Sequence, residues 1–121
     1  MTPAELSLLT DIERSTLARY VATLHERLGA RLLAVHVFGS VARNESWPRS
    51  ISIRSDLDLL VLVRDELTDE EQGALVDETL PLFLESGRQI SPQFRTPEQY
   101  ASSPSREAID ADAVRIWPGA A

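Results

Sequence analysis

The chain has 121 residues, 43% of them hydrophobic, and a formal charge of −7 from 19 acidic and 12 basic side chains, which suits one folded domain spanning residues 1–121 and argues against wholesale disorder. It contains no cysteine and only His25 and His36, which excludes disulfides and thiolate zinc sites and leaves carboxylates to hold any metal, hence a hard cation. Every basic residue is an Arg, scattered along the chain, so the clustered positive charge of a backbone-tracking binder is missing and stable nucleic-acid binding is not expected.

The chain opens on Thr2-Pro3-Ala4-Glu5, with a capping side chain, a proline at the first helical position and an acid where a capping box needs one. Apolar residues at Leu6, Leu9, Ile12, Leu17, Tyr20, Val21, Leu24 and Leu28 follow close to a 3.6 period. They predict an amphipathic helix to about Leu28, broken near Thr10 and stopped at Gly29. No basic segment with an apolar core precedes it. Leu32 to Phe38 reads as a strand ending at Gly39-Ser40, and Ser40 to Glu45 as a short helical turn. A polar loop with Trp47 and Pro48 leads to a second strand, Asp56 to Val63. The apolar run from Leu59 marks a strand buried on both faces in the middle of a sheet. The run is far too short to span a bilayer, so a soluble, cytoplasmic protein is expected.

Thr68-Asp69-Glu70-Glu71 is a second capping box. It predicts a helix to about Ser86, kinked by Pro81 and ended by Gly87. Gln89 to Arg95 reads as a third strand, Thr96-Pro97-Glu98 as the start of a short helix, Ser105 to Ala111 as a helical turn, and Ala113 to Trp117 as a terminal strand. This order predicts an α/β (α+β) domain, a small mixed β-sheet flanked by helices.

Two stretches carry chemistry. In a strand, residues two apart share a side, so Asp56 and Asp58 present two carboxylates together. Close carboxylates repel and hold protons more tightly unless a cation lies between them, and magnesium suits that place while leaving positions for phosphate oxygens. The earlier stretch is Gly39-Ser40, where glycine allows a tight turn and serine offers a hydroxyl and backbone N–H groups to a phosphate. Arg43, one helical turn on, can pair with phosphate or with a carboxylate. Taken singly, each has a plainer reading: solvated aspartates at a strand start, an ordinary turn, a surface Arg. His25 and His36 are read as structural, and the acids after Thr68 as complements to a helix dipole.

Together, Gly39-Ser40-Val41-Ala42-Arg43 after one strand and Ser55-Asp56-Leu57-Asp58-Leu59-Leu60-Val61 opening the next resemble the minimal nucleotidyltransferases of the DNA polymerase beta-like superfamily. Ile90-Ser91-Pro92, Arg106-Glu107-Ala108-Ile109 and Val114-Arg115-Ile116-Trp117 look like the end of the same domain. The resemblance implies the polymerase beta palm-like nucleotidyltransferase fold. It implies that Gly39, Ser40 and Arg43 hold a nucleoside triphosphate, and that Asp56 and Asp58 are the catalytic residues binding Mg2+ or Mn2+. The implied reaction moves a nucleoside monophosphate to an acceptor. The implied acceptor is a partner protein, of the HEPN type in a toxin–antitoxin pair. Three departures stand out. Asn44 replaces a usual glycine, the spacer from Ser40 to Asp56 is long, and the next strand offers Ser91 or Gln93 where a third carboxylate is expected. That last departure supports an alternative: a catalytically weakened nucleotide-binding module that regulates a partner by contact.

Overall fold

The computed structural model describes residues 9–38 and 56–118, apart from the side chain of Asp112. The opening Thr2–Glu5 cap lies outside those residues. Helix α1 spans Asp11–Leu28. The expected break near Thr10 is its N-cap: the Thr10 hydroxyl accepts from the Glu13 N–H at 3.1 Å and the Glu13 carboxylate accepts from the Thr10 N–H at 2.8 Å, a complete capping box. Its buried stripe of Glu13, Thr16, Leu17, Tyr20, Leu24 and Leu28 follows the helical period. Gly29 ends it at a φ of 55°, a conformation that costs a side chain dearly.

Strand β1 is Leu32–Phe38 and β2 is Leu57–Val63, one residue shorter at its start than expected. Helices α2, Asp69–Asp77, and α3, Thr79–Ser86, follow. A single helix kinked at Pro81 was expected; instead the division falls at Glu78. The proline ring excludes the carbonyl four residues back and offers it no N–H. That carbonyl belongs to Asp77, the last residue of α2, so Pro81 sits harmlessly in the first turn of α3. Gly87 then caps α3 with left-handed dihedrals. Strand β3 is Ile90–Arg95, α4 is Pro97–Ala101, α5 is Arg106–Asp112 and β4 is Val114–Trp117.

The four strands form one mixed sheet in the order β3-β2-β1-β4. Strand β1 runs antiparallel to β2 and to β4, while β2 and β3 are parallel and joined through α2 and α3. The core lies on one face, where Val35, Val37, Leu57, Leu59, Val61, Ile90 and Phe94 meet α1, α2 and α3 through Leu17, Tyr20, Leu24, Leu75 and Leu82. The Tyr20 hydroxyl is buried and donates to the Leu75 carbonyl at 2.8 Å, tying α1 to the end of α2. A buried ion pair, Arg88 to Glu13 at 3.3 Å, joins the lead-in to β3 to the first turn of α1. Among the described residues, no helix is long and apolar enough to cross a membrane.

Candidate functional site

The sheet's second face is only partly covered. Alternation along β2 sends Leu57, Leu59, Val61 and Val63 into the core and Asp58, Leu60 and Leu62 to the opposite side. Asp56 immediately precedes the strand. The Leu57 N–H donates to the Gln89 carbonyl at 2.8 Å, which fixes the entry of β2 against the entry of β3. Asp56 is exposed and Asp58 half-buried. Burial, and after it the neighbouring Asp56 charge, pushes the Asp58 carboxyl above the usual carboxylate range. Both effects disfavour the charged form of the carboxylate.

The last residue of β1, Phe38, is the register partner of Asp58, and Gly39-Ser40 follow it directly in the sequence. Gly39, Ser40 and Arg43 themselves lie outside the described residues, as do Asn44 and Trp47. On the other side of β2, Asp58 pairs in register with Ser91 and Leu60 with Gln93. Paired residues of a ladder share a face, and the buried partners Leu57/Ile90 and Val61/Phe94 set which face. Of the two candidates for the third position, Ser91 is therefore the neighbour of Asp58, and Gln93 lies two residues further along. A serine hydroxyl carries no charge and takes no proton near neutral pH. Among the described residues, no three His, Asp or Glu side chains are grouped so as to hold a metal.

Further along the same face, sequence reading missed a small cleft lined by His36, Leu60, Leu62, Tyr100, Asp110 and Ala113. The Tyr100 hydroxyl donates to Asp110, and Arg106 approaches the same carboxylate at 3.4 Å. Burial and the Asp110 carboxylate push the Tyr100 hydroxyl up to about 12. Burial, then the charge of Arg115, lowers the proton affinity of His36. The alternation of β1 already placed His36 opposite the core. What the sequence lacked was any sign that α4 and α5 fold back over that face.

No protein-family model and no curated protein matches the sequence. Solved structures do match. One is a mutant form of the toxin–antitoxin pair MntA–HpeT, at 16% identity and a TM-score of 0.54 over 85% of this chain and 72% of that one. A second is a tri-AMPylated HEPN toxin in complex with an MNT antitoxin from Shewanella oneidensis, at 15% identity and a TM-score of 0.53 over 88% of this chain and 72% of that one. A third is a toxin–antitoxin with AMP-PNP, at 15% identity and a TM-score of 0.52 over 84% of this chain and 73% of that one. The chain has the minimal nucleotidyltransferase fold. At these identities the likeness is one of backbone. The described part of the candidate site is Asp56 and Asp58 at the head of β2, with Ser91 on β3 in register with Asp58.

Proposed function

We propose that the chain is a metal-dependent nucleotidyltransferase-like protein acting on a partner protein, as the antitoxin of a HEPN/MNT pair. The observation that carries this reading is the Asp56/Asp58 pair at the head of β2, where burial, and after it the Asp56 charge, pushes the Asp58 carboxyl up. Structural neighbours described as an MNT antitoxin bound to an AMPylated HEPN toxin, and as a toxin–antitoxin with AMP-PNP, support the nucleotide and the partner.

Two oxygen donors with no nitrogen or sulfur ligand beside them suit magnesium or manganese. Asp56 and Asp58 would hold that ion. When bound, it neutralises charge on the phosphate oxygens. Gly39 and Ser40 would receive the terminal phosphates through backbone N–H groups and a hydroxyl, with Arg43 adding charge. The acceptor hydroxyl forms a bond to the α-phosphorus of the nucleoside triphosphate, and the bond to pyrophosphate breaks. The acceptor's proton goes to solvent, because Ser91 cannot take it. General-base assistance is worth about 10²–10⁴-fold, so transfer by this chain is slow.

The register of Ser91 with Asp58 favours a second reading, a module that binds nucleotide and restrains its partner by contact. Calorimetric titration with ATP and GTP, with and without magnesium, tests the shared part of both readings. Binding is expected only with the metal, and equal binding in a chelator rules the site out. Radiolabelled nucleotide followed onto the purified partner separates the two. Any metal-dependent transfer supports the enzyme; tight partner binding with no transfer supports the contact module.

A further inference from the structure

Helix α3 is apolar nearly all the way round. Leu82 and Thr79 turn into the core, yet Leu80 is 57% exposed, Phe83 37% and Leu84 74%, and Val76 on α2 is 43% exposed. A helix with apolar residues on every side is ordinarily buried on every side. The exposed set is ordered. Gly73, Val76, Leu80 and Phe83 succeed one another at intervals of three, four and three, the seam spacing of paired helices. The break at Glu78 barely disturbs the seam, because Glu78 keeps right-handed helical dihedrals. At 100° per residue these side chains and Leu84 fall within an arc about 100° wide, turned away from the arc of Leu75, Thr79 and Leu82 that meets the core.

Two further features say what covers this face. Gly73 lies inside α2, where glycine weakens a helix. Among the described residues, a side-chain carbon placed there would meet nothing within 4 Å, so no contact with them requires it. On the seam, a missing side chain lets another backbone come close. The second feature is charge. Residues 65–86 contain eight Asp and Glu and no Arg. Asp65 and Glu71 are paired with Arg31, Glu78 with Arg27 and Glu85 with Arg19. Glu70 and Asp77, which flank the seam immediately before Leu84 in the same column, have no ion pair among the described residues. A second copy packed antiparallel here would set these acids against their own counterparts, and a parallel one would set Asp77 against Gln72 and leave Glu70 facing the segment before the helix. Neither arrangement supplies a cation.

We infer that the ridge formed by Val76, Leu80, Phe83 and Leu84, with Gly73 at its head, docks a helix of another protein that carries an apolar seam flanked by Arg or Lys. The inference rests on the partner-protein half of the proposed function. It does not involve the Asp56/Asp58 site, which opens on the opposite face of the sheet.

The probes are two labelled amphipathic helical peptides of about three heptads, with Leu at the seam positions and either Lys or Glu at the flanks. Fluorescence anisotropy measures their binding to the purified chain, and calorimetry measures magnesium-dependent ATP binding on the same preparations. The Lys-flanked peptide is expected to bind, more weakly as salt rises, and the Glu-flanked peptide to bind at least about tenfold more weakly. The double variant Leu80→Asp/Leu84→Asp changes only exposed side chains, so it should melt like the wild type and lose the peptide. Gly73→Ala should raise the melting temperature while weakening the peptide, an opposition that a merely structural glycine would not show. Glu70→Lys/Asp77→Lys should reverse the peptide preference. Equal binding of both peptides, no binding of either, or binding indifferent to the Leu80→Asp/Leu84→Asp change overturns the inference. So does a dimer seen by sedimentation that those two substitutions dissolve. Nucleotide binding that persists in each such case leaves the proposed site standing; peptide preference without nucleotide binding does the reverse.

Discussion

Replacing Ser91 with Asp probes the open face most sharply, because it adds a third carboxylate beside a pair already short of positive charge. Neighbouring strands lie about 4.8 Å apart, and Ser91 is in register with Asp58, so the new charge stands roughly 5 Å from the Asp58 carboxylate. Coulomb's law then gives a repulsion of about 0.8 kcal/mol at a dielectric of 80 and about 3.3 kcal/mol at 20. Escaping it by protonation at pH 7 costs about 1.4 kcal/mol per pKa unit, or about 4 kcal/mol from an ordinary carboxylate value. The charged form therefore prevails, and Ser91→Asp should lose about 1–3 kcal/mol of stability in chelator at pH 7. For a chain of this length that is a fall in melting temperature of roughly 4–12 °C. Magnesium should restore most of it, since a cation among three carboxylates converts repulsion to attraction, and so should lowering the pH towards 4. Nucleotide transfer onto the partner should rise by up to about 10²–10⁴-fold. Thermal melts with chelator, with magnesium and across pH, run beside the transfer assay, provide the test. A variant that melts like the wild type in chelator and ignores magnesium would show that Ser91 does not share the face of Asp58.

Asp58→Asn should abolish magnesium-dependent nucleotide binding while leaving the metal-free fold as stable as before or more so. The folded-state proton affinity of Asp58 is raised, so its charge opposes folding above that folded value and the penalty fades as pH falls towards the unfolded carboxylate value. The gain from Asn should thus appear in melts at pH 7 and vanish near pH 3; a sharp loss at pH 7 would make Asp58 structural. Tyr20→Phe removes the buried hydrogen bond to the Leu75 carbonyl and should cost about 1 kcal/mol, read as a shift in urea midpoint with unchanged slope, with nucleotide binding untouched. An unchanged midpoint would mean that this contact does not hold α1 to α2.

Most of the scaffold was legible because its signals are local. Thr68 with Glu71, Gly29, Gly87 and the alternation of β2 each act over a few residues, through a cap, a positive φ or a pleat, and each stands where the sequence placed it. Of the two aspartates, β2 carries Asp58 on the face opposite the core, while Asp56 lies one residue before the strand and acts on Asp58 through its charge. Pro81 was misread because the carbonyl it displaces lies four residues earlier, and the break falls there rather than at the ring. The choice between Ser91 and Gln93 needed the β2–β3 register, a contact between segments some thirty residues apart that no local pattern encodes. The cleft around His36 needed α4 and α5 to return over the second face. The apolar ridge along α2 and α3 needed knowledge of which apolar side the core had taken and which it had left exposed. Periodicity and capping are properties of a few consecutive residues; register, burial and the faces left over arise only when distant segments compete for the same core.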